Sequence, residues 1–458
     1  MMKILNLLIV LLVSYPVMSQ KKNKKNIYPN STSAEQRLKG YNDRMNLNSM
    51  SIIKNINFKN IGPSVMSGRV VDLDINPNDP SHFYVAYASG GLWETKNHGN
   101  SFISIFDNQM VMTIGDIKVD WQNDIIYLGS GENNSSRSSY SGNGIYKSVD
   151  NGNSWDNIGL EESHHIGRII IHPQNPEIIW VASLGHLYSS SSERGIYKSL
   201  DGGLTWTNKL YVNEYTGAID LVIDETNPDL LYASMWEKDR KAWNFDGSGI
   251  GSGIYKSTDA GKTWEFMGLP YSQHIGQIQI HPTNPDIVWV GSMGSLYSKN
   301  KERGLFKTTD GGKSWKKVLY IDDNTGIIDI KIHPSNPDIL LAASWERFRQ
   351  AHDFVGQGKG SAIWRSEDGG NTWKKAVAGF PQDEFVGRIG FDFAQSNPDV
   401  VYALLDNQAK SDQVQEEPRQ RREEEENPLK FDDFKQMNLA EALGLEEKRL
   451  NSFLRRNQ

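Results

Sequence analysis

Three glutamates stand in related contexts: Gly131-Glu132-Asn133-Asn134, Met235-Trp236-Glu237-Lys238 and Ser344-Trp345-Glu346-Arg347. Their spacings are 105 (237 − 132) and 109 (346 − 237) residues. Two carboxylic groups held roughly 5–9.5 Å apart make the acid and base, or acid and nucleophile, of a glycosidase. Trp236, Trp243 and Trp345 lie beside two of these glutamates. Indole faces stack on sugar rings or anchor a peptide. Glu132, Glu237 and Glu346 are therefore candidates for catalysis, and the three tryptophans for ligand binding. The competing reading is that repeated glutamates tie each loop to its own sheet.

Arginines supply a second set. Arg69, Arg168 and Arg388 each follow a glycine inside an apolar run. Guanidinium groups converging from equivalent positions can hold a carboxylate or sulfate bidentately. They can equally pair with Asp72, Asp116, Asp220 or Asp329 and join neighbouring sheets. Histidines argue against a metal. His172, His281 and His333 occupy identical turn positions before proline, too far apart to share one ion. His186 and the pair His164-His165 have no spacing that suggests zinc. No metal site, phosphate loop, nucleotide fingerprint or nucleophile elbow is expected, and no cofactor.

The elements that must position these residues are set by repetition. The pattern Ser/Thr-x-Asp-x-Gly-x-Ser/Thr-Trp recurs five times, with Asp150, Asp201, Asp259, Asp310 and Asp368 followed by Trp155, Trp206, Trp264, Trp315 and Trp373. A worn copy runs from Thr95 to Phe102, with Asn97 for the acid. The steps from 97 are 53, 51, 58, 51 and 58 residues, so pairs of units repeat every 109 (259 − 150 and 368 − 259). A unit of about 50 residues is one four-stranded propeller blade. Within each unit the Asp accepts bonds from turn amides, the Gly takes a positive φ and the Trp packs between blades. Seven glycine-bearing runs, at Gly68, Gly115, Gly167, Gly217, Gly276, Gly326 and Gly387, read as innermost strands where backbones crowd a central channel. The reading is an all-β propeller of about seven four-stranded blades, the seventh incomplete. Residues 57–62 are expected to close it as a last strand.

Composition frames the rest. Net charge is −7, which gives no electrostatic footprint for nucleic acid, and there are no cysteines for disulfides, thiolate catalysis or thiolate metal sites. Residues 1–19 read as a cleavable signal peptide, with an apolar stretch from Ile4 to Val13 too short to span a membrane. Residues 20–50 read as a flexible lead-in, 51–407 as the propeller, 408–430 as a charged linker and 431–458 as a helical tail. The expected location is secreted, periplasmic or at the cell surface.

The repeated turn resembles the Asp box, or bacterial neuraminidase repeat. The longer pattern, carried by Gly185-His186-Leu187-Tyr188, Glu193-Arg194-Gly195-Ile196-Tyr197-Lys198-Ser199 and Ala343-Ser344-Trp345-Glu346-Arg347, resembles sortilin N-terminal-type propellers of exported bacterial proteins. That resemblance covers roughly Phe58 to Leu405. It implies boxes that lie away from the working face, and it implies a chain that continues into a further box, so this one is expected to be the front of a longer protein or a short form. A sialidase-like triad of arginines lacks the accompanying Phe/Tyr-Arg-Ile-Pro segment here. The expected function is an exported module binding a protein, peptide or glycan at the bacterial envelope. The alternatives are a glycoside hydrolase of xyloglucanase-like type and an assembly factor for an envelope complex.

Overall fold

The computed structural model describes residues 31–56, 68–135, 139–241, 243, 245–350, 352–409, 429–446, 449–451 and 453. The signal segment and the expected closing strand at 57–62 lie outside them. Two compact units divide the chain, Met1–Asp406 and Asn407–Gln458.

In the first unit, six four-stranded antiparallel sheets follow one another and a two-stranded sheet ends the series. Their first strands are Val70–Ile75, Ile114–Asp120, Ile166–Ile171, Thr216–Ile223, Ile275–Ile280, Thr325–Ile332 and Val386–Phe393. Successive first strands pack on one another along the whole series. The arrangement is a β-propeller with seven blades, the seventh represented among the described residues by Val386–Phe393 and Val401–Asn407.

The glycines explain how the first strands come so close. A methyl group on Gly115 would sit 1.9 Å from the Ile166 carbonyl oxygen, and one on Gly167 would sit 2.5 Å from that of Ile219. No side chain survives such contacts, so the position admits the next blade's backbone and nothing else.

In the first six blades the second strands are mostly apolar because both of their faces are covered. In Ile179–Ser183, Ile179 and Val181 pack towards the second blade, while Trp180 and Ala182 pack towards the fourth. The same division gives one apolar cluster at every interface between consecutive blades. Burial of an aromatic side chain of this size is worth about 3–5 kcal/mol against alanine.

The repeated turns close the far ends of the third strands. Asp150 accepts from the Ser154 amide at 2.8 Å and the Ser154 hydroxyl at 2.6 Å, while Ser148 Oγ accepts from the Gly152 amide at 2.8 Å. Asn97 keeps the acceptor that matters, taking the Ser101 amide at 3.0 Å. Bonds of this kind, led by the Thr205 hydroxyl, hold Asp201 down at about 2. Trp155, Trp206 and Trp315 each donate Nε1 to a carbonyl of the preceding blade, at Ile105, Ile158 and Met267. His172, His281 and His333 do serve turn packing, against Trp180, Trp289 and Phe393.

Two helical expectations need correction. Residues 34–50 are not a flexible lead-in: Ala34–Met50 is a helix capped by Ser33, whose hydroxyl accepts from the Gln36 amide. It is anchored by Arg37, which donates to the carbonyls of Gly142 and Glu161 at 2.7 Å each. In the second unit the tail is not one continuous helix. Phe431–Gln436 ends at Met437, and Asn438 with Glu441 caps a new start at Leu439–Leu443. No described helix is long and apolar enough to cross a membrane.

Candidate functional site

Strand register separates the two ends of every blade. In the fourth blade Thr216 pairs with Glu237, and Met235 with Gly253, whereas the turn at Ser257 lies opposite Leu231. The repeated turns therefore crowd one end. Trp236, Glu237 and the loops after the second strands occupy the other. In blades four and six those loops carry small hairpins, Asp239–Arg240 with Phe245–Asp246 and Phe348–Arg349 with Phe354–Val355. The three glutamates and the three tryptophans lie towards this hairpin-bearing end, whereas Arg168 sits within the inner strand of the third blade, opposite Ala182.

Each glutamate is engaged by groups of its own surroundings. Glu132 is 0% exposed and accepts from Arg69 Nε at 3.0 Å, the Asn134 amide at 3.1 Å and the Ser139 hydroxyl. Glu237 accepts the Gly251 amide at 2.8 Å, and Glu346 accepts the Gly360 amide at 2.9 Å. Those last two bonds are the same bond in two blades, tying each loop to its own sheet.

The arginines join blades. Arg69 reaches from the first blade to Glu132 in the second. Arg168 lies 3.0 Å from Asp116 and 3.1 Å from Asp220, bridging blades two, three and four. Those carboxylates, with Asp72, raise the Arg168 pKa against the opposing pull of burial. Arg388 differs: it is exposed, and its guanidinium lies 5.8 Å from the Trp345 ring centre.

The tryptophans part company as well. Trp236 is buried, donates to the Gly247 carbonyl at 2.9 Å and stacks on His274 at 4.7 Å. Trp345 is half-buried and donates to Gly356 at 2.7 Å. Trp243 is 65% exposed on the fourth-blade loop.

A feature that the sequence reading missed now stands out. His165, Arg194, Trp236, Lys238 and Arg240 recur 109 residues later as His274, Arg303, Trp345, Arg347 and Arg349 (274 − 165, 303 − 194, 345 − 236, 347 − 238, 349 − 240). Both sets are cationic and largely buried. In the first, Lys238 Nζ donates to the Ser135 hydroxyl at 2.7 Å and Arg240 to the Ser135 carbonyl at 2.9 Å, with the Glu132 charge nearby. In the second, Arg303 donates to the carbonyls of Ser295 at 2.7 Å and Arg347 at 2.9 Å. Arg347, 7% exposed, leaves Nε and Nη2 without a hydrogen-bond partner. Its guanidinium lies 5.2 Å from the Trp345 ring centre. Burial, then the charges of Arg303, Arg349 and Arg388, push Arg347 down to about 9. Nothing short of the 109-residue register could have pointed to it.

A correction concerns metals. His164 and His186, expected to lack suitable partners, stack at 3.8 Å between ring centres, and Glu162 reaches both. Burial pushes His164 down to about 3, with His186 adding to the effect.

Against known families, the model described as Sortilin-Vps10 (sortilin, neurotensin receptor 3) matches residues 252–434, from the last two strands of the fourth blade onward. The chain is a β-propeller, and over that stretch it resembles the sortilin type. Among its curated relatives, this propeller is 24% identical over 271 residues to a probable oligoxyloglucan-reducing end-specific xyloglucanase of Neosartorya fischeri, covering 55% of this chain and 29% of that protein. It is 27% identical over 222 residues to the xyloglucanase Xgh74A of Acetivibrio thermocellus, covering 43% and 24%. It is 25% identical over 175 residues to the vacuolar protein sorting/targeting protein 10 of Kluyveromyces lactis, covering 33% and 11%. The propeller thus spans less than a third of the length of these relatives. Among solved structures it resembles a xyloglucanase from Xanthomonas campestris (17% identity, 68% of this chain and 46% of that one, TM-score 0.48). It also resembles YCF48 from Cyanidioschyzon merolae (14%, 76% and 96%, TM-score 0.46).

Proposed function

We propose that this chain is an exported glycan-binding propeller whose hairpin-bearing face takes a carbohydrate with an acidic substituent. One observation carries the reading: two guanidinium nitrogens of Arg347, Nε and Nη2, are buried beside an indole face without an acceptor. Buried donors left unpaired cost roughly 1–3 kcal/mol each, and a carboxylate or sulfate would answer them bidentately. Trp345, with exposed Phe354 and Trp243 on the two hairpin loops, adds apolar faces of the kind that stack on sugar rings. The xyloglucanase relatives make a carbohydrate the favoured class over a peptide. Binding of this sort needs no cofactor. Calorimetric titration with polygalacturonate, a sulfated polysaccharide and neutral xyloglucan tests it. An acidic polymer should bind at least tenfold more tightly, and Arg347→Met or Arg388→Ala should remove that preference. Equal affinity for neutral and acidic polymers would reject the reading.

The second reading is hydrolysis, favoured by the same relatives. Reducing-sugar release from xyloglucan that disappears in Glu237→Gln or Glu346→Gln would establish it. Those two carboxylates are engaged with their own loops, which is why binding takes precedence.

A further inference from the structure

We infer that Glu162, His164 and His186 form a binding site for a divalent transition-metal ion, with zinc the best match. The three offer ligand atoms that all lie within 4.8 Å of one another. Glu162 Oε2 is 3.6 Å from His164 Nε2 and 3.7 Å from His186 Nε2. Bonds of about 2.0–2.1 Å in a tetrahedral zinc site set ligand atoms about 3.3 Å apart. The two glutamate–histidine separations are therefore within a few tenths of an ångström of a closed set, and the histidine pair lies within 4.8 Å.

The second observation is that both Nε2 atoms are buried with no hydrogen-bond partner, and His164 is only 9% exposed. Buried ring nitrogens are normally bonded, and leaving two together unanswered is costly. His186 is also oriented from behind. Its Nδ1 lies 2.8 Å from Ser189 Oγ. A proton on Nδ1 donated to that hydroxyl leaves the Nε2 lone pair free, as in ligands steered by an outer partner.

The mount is rigid. His164 holds a φ of +58°, and its carbonyl accepts the Gly142 amide at 2.6 Å. A methyl group on Gly131 would sit 1.8 Å from that carbonyl, so glycine is what lets the second-blade loop close over it. Strained backbone that surroundings enforce is frequent at binding sites. Beside the three residues lies a cavity of about 250 Å³, lined by Glu162, His186, Glu193 and serines 190 to 192, roomy enough for a water as fourth ligand. Two imidazoles and one carboxylate suit zinc and its neighbours in the first transition series, and not magnesium or calcium, which prefer all-oxygen shells.

Arg37 opposes the ion. Its Nη2 is 3.5 Å from Glu162 Oε2, while Glu162 Oε1 accepts the Ala34 amide at 2.5 Å. Because Arg37 is fixed chiefly by two backbone carbonyls, it stays in place and weakens the site. The affinity should therefore fall well short of that of a structural zinc.

The test uses the tag-free chain, stripped with chelator and titrated with Zn(II) by calorimetry and with Co(II) by visible absorption. One equivalent should bind, Co(II) should give the intense bands of a low-coordinate site, and excess Mg(II) should not compete. His186→Gln should abolish the bands and weaken Zn(II) at least 100-fold. Ser189→Ala should weaken it roughly tenfold, as loss of an outer partner does. Arg37→Gln should tighten it. No saturable binding by the unaltered chain, or binding that survives His186→Gln, would overturn the inference. His186 lies at the rim, so its variant keeps the test decisive if His164→Asn fails to fold. The readouts do not depend on glycan binding.

Discussion

Blades three and four and blades five and six carry the same set of side chains, 109 residues apart. Around Lys238 the second blade contributes the Ser135 hydroxyl as an acceptor and the Glu132 charge, which offsets part of the burial that pushes the lysine well down. Around Arg347 no carboxylate appears among the groups that act on it, and two of its nitrogens stay unpaired. One duplicated frame has thus been settled into a structural joint and the other left cationic. Where a neighbour supplies the counter-charge, the cluster contributes to stability. Where none does, it is held ready for something from outside.

Changes aimed at that contrast should differ in size. Glu132→Gln removes the counter-charge of a buried pair, and the Arg69 and Lys238 side should lose about 3–5 kcal/mol, read by urea unfolding. If it loses less than Glu346→Gln does, the contrast fails.

Acid sharpens the comparison next. Burial, aided by Arg347, Arg388 and Arg303, holds His274 down to about 3. The unfolded chain protonates this histidine below its ordinary value near 6.5 while the folded one does not. Stability should therefore fall as pH drops from about 6.5 towards 3, by at most about 1.4 kcal/mol per unit for this one group. His274→Asn should flatten that limb. The turn carboxylates act lower: Asp201 adds stability above the usual carboxylate range that is lost as pH falls through about 2.

Arg347→Met should be neutral or raise stability by about 1 kcal/mol, because it removes unpaired buried donors, while it weakens acidic ligands. A loss above 2 kcal/mol would mark Arg347 as another joint. Glu237→Gln and Glu346→Gln should each change stability by less than about 1 kcal/mol, since the amide oxygen still accepts the loop amide. A clear difference between these two would break the equivalence of the blades.

The fold was readable because its signals are local. A turn needs Asp, Gly and Trp within eight residues, and a crowded strand needs its glycine. The candidate sites were only half readable. Arg69, Arg168 and the three glutamates were recognised, but their partners come from neighbouring blades, which the chain order of one unit does not reveal. Trp236 and Trp345 are each followed by a glutamate and a basic residue, yet one is buried and the other half-buried. Glu162, His164 and His186 come from a loop between blades and a loop within one, so no short spacing announces them. The helix Ala34–Met50 was hidden by a polar composition, and what fixes it is the Ser33 cap and the grip of Arg37 on the second blade.

The indole bonds of Trp155, Trp206 and Trp315 all point backwards, from a later blade to a carbonyl of the one before. Between blades three and four the sense reverses: Trp180 waits for the Ala260 carbonyl that follows it. A ribosome delivers these blades in order, so a backward bond finds its acceptor already made, whereas Trp180 must remain uncovered until some eighty residues later (260 − 180). The third blade's outer flank around Trp180 is therefore completed only once the fourth-blade turn has been made.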